Sequence, residues 1–219
     1  MNWFPERHAR IFCAAVNYAA HRDEMGRSES IAHPMLFLRT PQSLVRAGEP
    51  LVQPANSRCL DFEGELALVI GTPGRHISRS RALAHIAGWT PFMDGSVRDW
   101  QRHTAQFTPG KNFDSSGSIG PELVPAAAFG DYRAHSLATR VNGAQVQHTE
   151  IALMLFDVET LIAYISAFTE LRPGDIIATG TCGGVGEKRT PPLYLVPGDT
   201  VEVEISGLPI LRNTVIAEA

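Results

Sequence analysis

The stretch Asp61-Phe62-Glu63-Gly64-Glu65-Leu66-Ala67-Leu68-Val69-Ile70-Gly71 decides how this chain is read. Its second half is a continuous apolar run of strand length, so Leu60 to Gly71 predicts a strand buried on both faces. Glu63 and Glu65 stand at its head with i, i+2 spacing, which sends both side chains to the same face. Two like charges side by side on a face that is normally apolar require compensation. Asp94 lies at the end of a second extended segment, Gly88 to Met93, and supplies a third carboxylate. A hard divalent cation such as Mg²⁺ or Mn²⁺, which takes oxygen ligands, is the simplest partner for such a set. Taken alone, the two glutamates suit a solvated strand edge and Asp94 a turn or cap. Three monodentate carboxylates would leave about three octahedral positions for water or for a chelating 2-oxo acid.

The 219 residues carry a net charge of -4, with 44% hydrophobic and 19% charged residues. That composition describes one globular domain with a sizeable core, and it offers no electrostatic footprint for nucleic acid. The longest apolar runs are strand-sized, so no membrane span is expected. The N-terminus reads as lacking the charged-then-apolar plan of a signal peptide. Cys13, Cys59 and Cys182 have no CxxC spacing and read as free thiols in a reducing compartment, which points to the cytoplasm.

Around the 60–71 stretch the pattern is that of a strand-dominated α+β domain with few long helices. Ile11 to Val16 and Leu36 to Leu38 predict short strands, and residues 44–58 a loop or hairpin. Ser80 to Ile86 predicts a helix capped by Ser78 or Ser80, and Val97 to His103 a helical turn. Residues 105–121 read as a Gly/Ser-rich loop around Lys111. Leu137 to Val141 and Ala144 to Gln147 form a hairpin across Asn142-Gly143. Val158 to Phe168 has helical periodicity. Pro173-Gly174-Asp175 and Pro197-Gly198-Asp199 are turns that precede β-branched runs.

Other polar residues suit the same chemistry. Arg98 offers a fork for a carboxylate, and Lys111 a point charge for an enolate or oxyanion. Asp99 is expected to orient one of them. His21 and Glu24, at i, i+3, form a candidate general-base dyad. The other histidines have no such partner. The glycine-rich run Thr179 to Gly186 can cradle an anion through backbone amides, but it matches neither a phosphate loop nor a dinucleotide fingerprint. No Gly-x-Ser-x-Gly elbow is present.

In this order the motifs resemble the fumarylacetoacetate hydrolase family. The matching pieces run from Asn17-Tyr18-Ala19-Ala20-His21-Arg22-Asp23-Glu24 through Asp61-Phe62-Glu63-Gly64-Glu65 and Met93-Asp94-Gly95-Ser96-Val97-Arg98-Asp99-Trp100-Gln101. They continue in Gly110-Lys111-Asn112-Phe113-Asp114, Arg140-Val141-Asn142-Gly143, Leu171 to Thr181, and Pro197-Gly198-Asp199. The resemblance implies a mixed β-sandwich roll, usually a homodimer, with Mg²⁺ or Mn²⁺ on Glu63, Glu65 and Asp94. It implies that Arg98, Gln101, Lys111 and Thr181 line the pocket for the oxo-acid end of a substrate. It also places His21 and Glu24 as a water-activating dyad on a segment that orders as a lid. The whole of 1–219 is then one catalytic domain, with N-terminal strands and lid in 1–50 and a metal-binding core in 51–219. The chain departs from the family's usual residues at Gly95, Arg39, Cys182 and Ser118.

The function expected on this basis is divalent-metal-dependent hydrolysis of a C–C bond in a 2,4-dioxo acid, acylpyruvate or fumarylpyruvate in type, to pyruvate and a carboxylic acid. The alternatives on the same scaffold are decarboxylation of an oxaloacetate-like acid and hydration or isomerisation. A non-catalytic small-molecule-binding role comes last. The departures cluster on the pocket wall, where the far end of the substrate would lie.

Overall fold

Along residues 66–70 the buried side chains alternate. Leu66, Leu68 and Ile70 enter one apolar cluster, and Ala67 and Val69 another on the opposite side. A strand packed on both faces belongs inside a sheet, and that is its place in the computed structural model, which describes residues 3–26 and 32–219. The strand β6 (Gly64–Ile70) lies at the centre of a mixed sheet of eight strands. Its order runs from β2 (Met35–Arg39) through β1 (Ile11–Ala15), β13 (Ile176–Ala178), β6, β7 (Ile86–Met93) and β9 (Gly117–Ile119) to β3 (Leu44–Arg46), with β10 (Val124–Pro125) also paired to β7.

A five-stranded sheet is ordered β12 (Ala144–Glu150), β11 (Ser136–Val141), β14 (Thr200–Ile205), β15 (Leu211–Ala217), β4 (Leu51–Gln53). The short pair β5 (Leu60–Asp61) and β8 (Ser96–Val97) stands apart from both. The five-stranded sheet packs across β6 and β7. Leu137 and Ile205 join the cluster of Leu66 and Leu68, while Val141, Val201 and Val203 join that of Phe62 and Met93. This is the mixed β roll that the sequence predicts.

Helices are few. Four are short: α1 (Ala19–Glu24), α2 (Arg98–Gln101), α3 (Thr108–Lys111) and α4 (Ala126–Phe129). The long one, α5 (Val158–Phe168), spans the predicted residues and buries Val158, Leu161, Ile162 and Ile165 at i, i+3, i+4, i+7. The Asn142-Gly143 hairpin also forms, with φ of 51° and 80°, the positive pair that a two-residue turn of this hand requires. None of the helices among the described residues is long and apolar enough to cross a membrane.

Several elements differ from the sequence expectation. The 60–71 strand is broken at Phe62-Glu63, between β5 and β6. Residues 44–58 form no hairpin, because β3 pairs in parallel with β9 and β4 in parallel with β15, so the segment crosses between sheets. Arg79–His85 is 3₁₀ rather than α-helical and buries only Ala82. Only Ala82 is buried and Ser78 makes no capping bond, so the segment gains little by winding into an α-helix. The predicted 105–121 loop contains α3 and β9. Of the 1–50 segment expected to carry the lid, residues 1–2 and 27–31 lie outside the described residues.

The Asp157 carboxylate caps α5, accepting from the Thr160 amide at 2.9 Å. Partial burial alone would raise its pKa, but the Thr160 bonds, Arg79 and Arg133 outweigh that and hold it below the ordinary value of 3.8. A depressed folded-state value stabilises the protein above that ordinary value and loses its contribution as pH falls through the native one. Asp157→Ala is therefore expected to cost about 1 kcal/mol in urea unfolding at pH 7. The gap from wild type should close below pH about 4.

Candidate active site

The three carboxylates meet because of one antiparallel pairing. β6 and β7 are registered with Gly64 opposite Met93 and Glu65 opposite Phe92. One step beyond, the Asp94 amide donates to the Glu63 carbonyl at 2.8 Å, so Asp94 stands across from Glu63. Glu65 lies two residues along the strand on the same face. Oxygens of Glu63, Glu65 and Asp94 lie within 4.8 Å of one another, all three residues buried, and no other such acidic, His or Cys group occurs among the described residues.

Buried cations compensate part of this charge. Lys111, at the end of α3, donates to Glu63 Oε2 at 2.7 Å and to Asp94 Oδ2 at 2.6 Å. Arg98, at the head of α2, reaches Asp61 Oδ2 at 2.8 Å through Nε and Glu63 Oε1 at 2.7 Å through Nη1. Arg39, on β2, donates to Asp94 Oδ1 at 2.5 Å and to the Gly95 carbonyl at 2.8 Å. Burial would raise the Glu63 pKa, but Lys111 and Arg98 overcome it and hold the carboxyl below the usual range. Burial likewise opposes charge on Lys111, and Asp94 and Glu63 reverse that, raising its pKa.

Glu65 has no such cation. Burial, then Asp94, then Glu63 push it well above the usual carboxylate range. Three buried hard-oxygen donors, one of them disfavoured in its charged form first by burial and then by the other two, are a set that a divalent cation fits: it would relieve that repulsion. The observed ligand chemistry thus suits Mg²⁺ or Mn²⁺.

The glycine-rich run cradles anions, as its composition predicts, but the anions are the chain's own. The Gly180 amide donates to Glu65 Oε2 at 2.8 Å, Gly184 to Glu24 Oε1 at 2.6 Å, and Gly186 to Asp61 Oδ1 at 2.8 Å. Gly180 has φ +98°, and a Cβ there would stand 2.7 Å from Asn17 Cβ. Only glycine suits that backbone. Thr181 follows, donating to the Gly64 carbonyl at 2.9 Å and accepting from Gln147 Nε2 at 2.8 Å.

A cavity of about 230 Å³ opens over these groups. Glu63, Arg98, Gln101, Lys111 and Thr181 line it together with His21. His21 is buried, and its Nδ1 is 3.6 Å from Glu24 Oε2. Burial raises the Glu24 pKa, while the imidazole and the Gly184 amide lower it and prevail. The orphan Nη2 of Arg98 has no hydrogen-bond partner although buried. Gln101 accepts from Arg98 Nη1 at 3.0 Å. All nine sequence-predicted site residues thus converge.

Other parts of the site were not read from the sequence. Asp99 orients neither Arg98 nor Lys111; it accepts from Ser57 Oγ at 2.8 Å, and Asp61 takes the part foreseen for it. Gln147, from β12, ties the Gly64 amide to Thr181, and no local motif marks it. Asn17 donates to the carbonyls of Phe156 and Thr179, fixing the chain just before α1. The departures from the family pattern acquire reasons. Arg39 also donates to Ser43 and Ser116, a use of the guanidinium that a lysine's single nitrogen cannot copy. Cys182 is packed in the core, its thiol pushed by burial up to about 12, and is chemically inert there.

At Gly95 a Cβ would lie 1.7 Å from the Ser116 carbonyl oxygen. Gly95→Ala is therefore expected to destabilise the protein by about 1–3 kcal/mol, read by denaturant unfolding. The same change should weaken divalent-metal binding measured by calorimetry, because Arg39 holds both the Gly95 carbonyl and Asp94.

Comparison with known proteins accords with the geometry. The family model described as Fumarylacetoacetate (FAA) hydrolase C-terminal matches residues 10–216. The rat mitochondrial oxaloacetate tautomerase Fahd2a is 38% identical over 211 residues, spanning 96% of this chain and 67% of that protein. This chain therefore spans about two thirds of that relative's length. A fumarylacetoacetate hydrolase from Exiguobacterium antarcticum superposes with a TM-score of 0.89 at 39% identity, covering 99% of this chain and 77% of that one. A Pseudomonas aeruginosa fumarylpyruvate hydrolase, solved with Mn²⁺ and pyruvate, gives 0.87 at 32%, covering 95% and 90%. With two mixed sheets, a buried acidic triad and these matches in agreement, the chain belongs to the fumarylacetoacetate hydrolase family.

Proposed function

We propose that this chain is a catalytic domain that enolises a 2-oxo acid, with keto–enol tautomerisation of oxaloacetate as its principal reaction. One observation carries this reading: a single cavity is lined by the His21 imidazole together with Glu63, Arg98 and Lys111. A base and a set of groups suited to an oxyanion thus face the same small volume. The tautomerase reading draws on the rat relative, which carries that activity in its name.

Glu63, Glu65 and Asp94 would hold Mg²⁺ or Mn²⁺, which when bound supplies Lewis-acid polarisation of a nearby carbonyl. The unpartnered Arg98 Nη2 receives an oxygen of the 2-oxo carboxylate, and Gln101 and Thr181 orient it. His21, its Nδ1 turned toward Glu24, takes the proton from the carbon beside the keto group. The C–H electron pair becomes the new C=C bond, the C=O π pair moves onto the keto oxygen, where Lys111 stabilises the developing negative charge, and that oxygen then takes back the proton held by His21. The apolar wall, including Phe37 and Val16, excludes bulk water.

A second reading is hydrolysis of a 2,4-dioxo acid, favoured by the His21–Glu24 dyad and by the fumarylpyruvate hydrolase relative. There His21 takes its proton from water attacking the distal carbonyl. The C–C bond breaks, and the enolate of pyruvate leaves with a carboxylic acid.

The two are separated by following the enol absorbance of oxaloacetate and the pyruvate released from acetylpyruvate, each with Mg²⁺. His21→Asn is expected to lower the preferred reaction by roughly 10²- to 10⁴-fold while Mg²⁺ binding by calorimetry persists. Glu63→Gln should lose that binding. Turnover unchanged in His21→Asn would remove the histidine from the mechanism.

A further inference from the structure

Arg102 is a cation of the cavity wall that the chemistry above leaves unused. It caps the C-terminus of α2, four residues past Arg98, and one helical turn brings both onto the same cavity. The two differ in commitment. Arg98 and Lys111 are fully buried and bound to internal carboxylates. The Arg102 side chain is 54% exposed and is paired to Glu187 through one nitrogen and one oxygen.

Glu187 is itself anchored. Its amide donates to Asp61 Oδ2 at 3.0 Å, its side chain is 9% exposed, and its Oε2 is buried with no hydrogen-bond partner. The pair therefore holds a guanidinium at the boundary between cavity and solvent. Elsewhere the wall presents Val16, Met25, Phe37 and Phe107, which give an anion nothing to bind. An unpaired carboxylate against such a wall would be strongly disfavoured, whereas a guanidinium fork can take it in two hydrogen bonds.

We propose that Arg102 reads a second carboxylate at the far end of the substrate, making the chain selective for dicarboxylic over monocarboxylic 2-oxo acids. The proposal rests on the 2-oxo-acid reading of the site. The ligand's first carboxylate lies at Arg98, and its second displaces Glu187 from Arg102 or shares the guanidinium with it. A substrate with an apolar tail leaves that pair closed.

Two five-carbon probes that differ only in the far carboxylate, 2-oxoglutarate and 2-oxopentanoate, test this by calorimetry with Mg²⁺ present. The wild type is expected to bind 2-oxoglutarate roughly ten- to a hundredfold more tightly, the loss of one charge-assisted contact. Arg102→Gln should erase most of that ratio, and Arg102→Lys should keep part of it. Both change one exposed side chain, so the fold is retained, which circular dichroism verifies. A wild type without the preference, or an Arg102→Gln variant that keeps it, overturns the proposal, and oxaloacetate turnover in the same preparations leaves the enolisation reading standing. A preference lost in Arg102→Gln, with no turnover of any 2-oxo acid, supports the proposal and removes the enolisation reading instead. Binding of neither acid, with no turnover, overturns both.

Discussion

Four carboxylates, Asp61, Glu63, Glu65 and Asp94, are buried at or beside one site, and the architecture around them answers to that charge. Desolvating a carboxylate is tolerable only when hydrogen bonds or opposite charges replace water. Here the replacements arrive from all over the chain: Arg39 from an edge strand, Arg98 and Lys111 from two short helices, and backbone amides from the glycine-rich run. Removing one partner would expose an uncompensated charge, so the segments are coupled through the site as well as through the apolar core. Glu65, braced by an amide but by no cation, is the member left over. That residual repulsion is the chemical room in which a divalent ion belongs.

The same compensation organises the cavity. Because Lys111 and Arg98 are held by internal carboxylates, their positions exist before any ligand arrives, and little reorganisation is needed when charge develops. The orphan Arg98 nitrogen is the one donor of that buried set without a hydrogen-bond partner. The dyad is built differently. α1 follows directly on Asn17, whose side chain is bonded to two distant segments, and Val16 just before it has a positive φ of 55°. A β-branched residue in that region is strained, and such strain persists only where the surroundings impose it. The helix bearing His21 is thus aimed by its attachment, with few contacts of its own.

What the sequence conveyed well was local or periodic. The α5 helix, the Asn142-Gly143 hairpin and the central strand follow from spacing and turn chemistry. The convergence of Glu63 with Glu65 follows from strand geometry, and the remaining site residues from their order along a family pattern. The misreadings share one cause. Arg79–His85 buries only Ala82 and winds as 3₁₀, and residues 44–58 contribute their two strands to different sheets. Neither outcome is decided within the segment itself.

The sequence by itself therefore determined the periodic elements, their apolar faces and the shared face of Glu63 and Glu65, because each depends on neighbours within a few residues. Tertiary structure alone decided the partners: that Asp61 and not Asp99 orients Arg98, that Gln147 braces Thr181, that Arg39 clamps Asp94, and that Gly95 has room for no side chain. Those contacts join residues 34 to 55 positions apart, except for the crowding at Gly95, where the Ser116 carbonyl comes from 21 positions away. No spacing rule reaches so far, since only the packed sheets determine which distant group stands beside a buried charge.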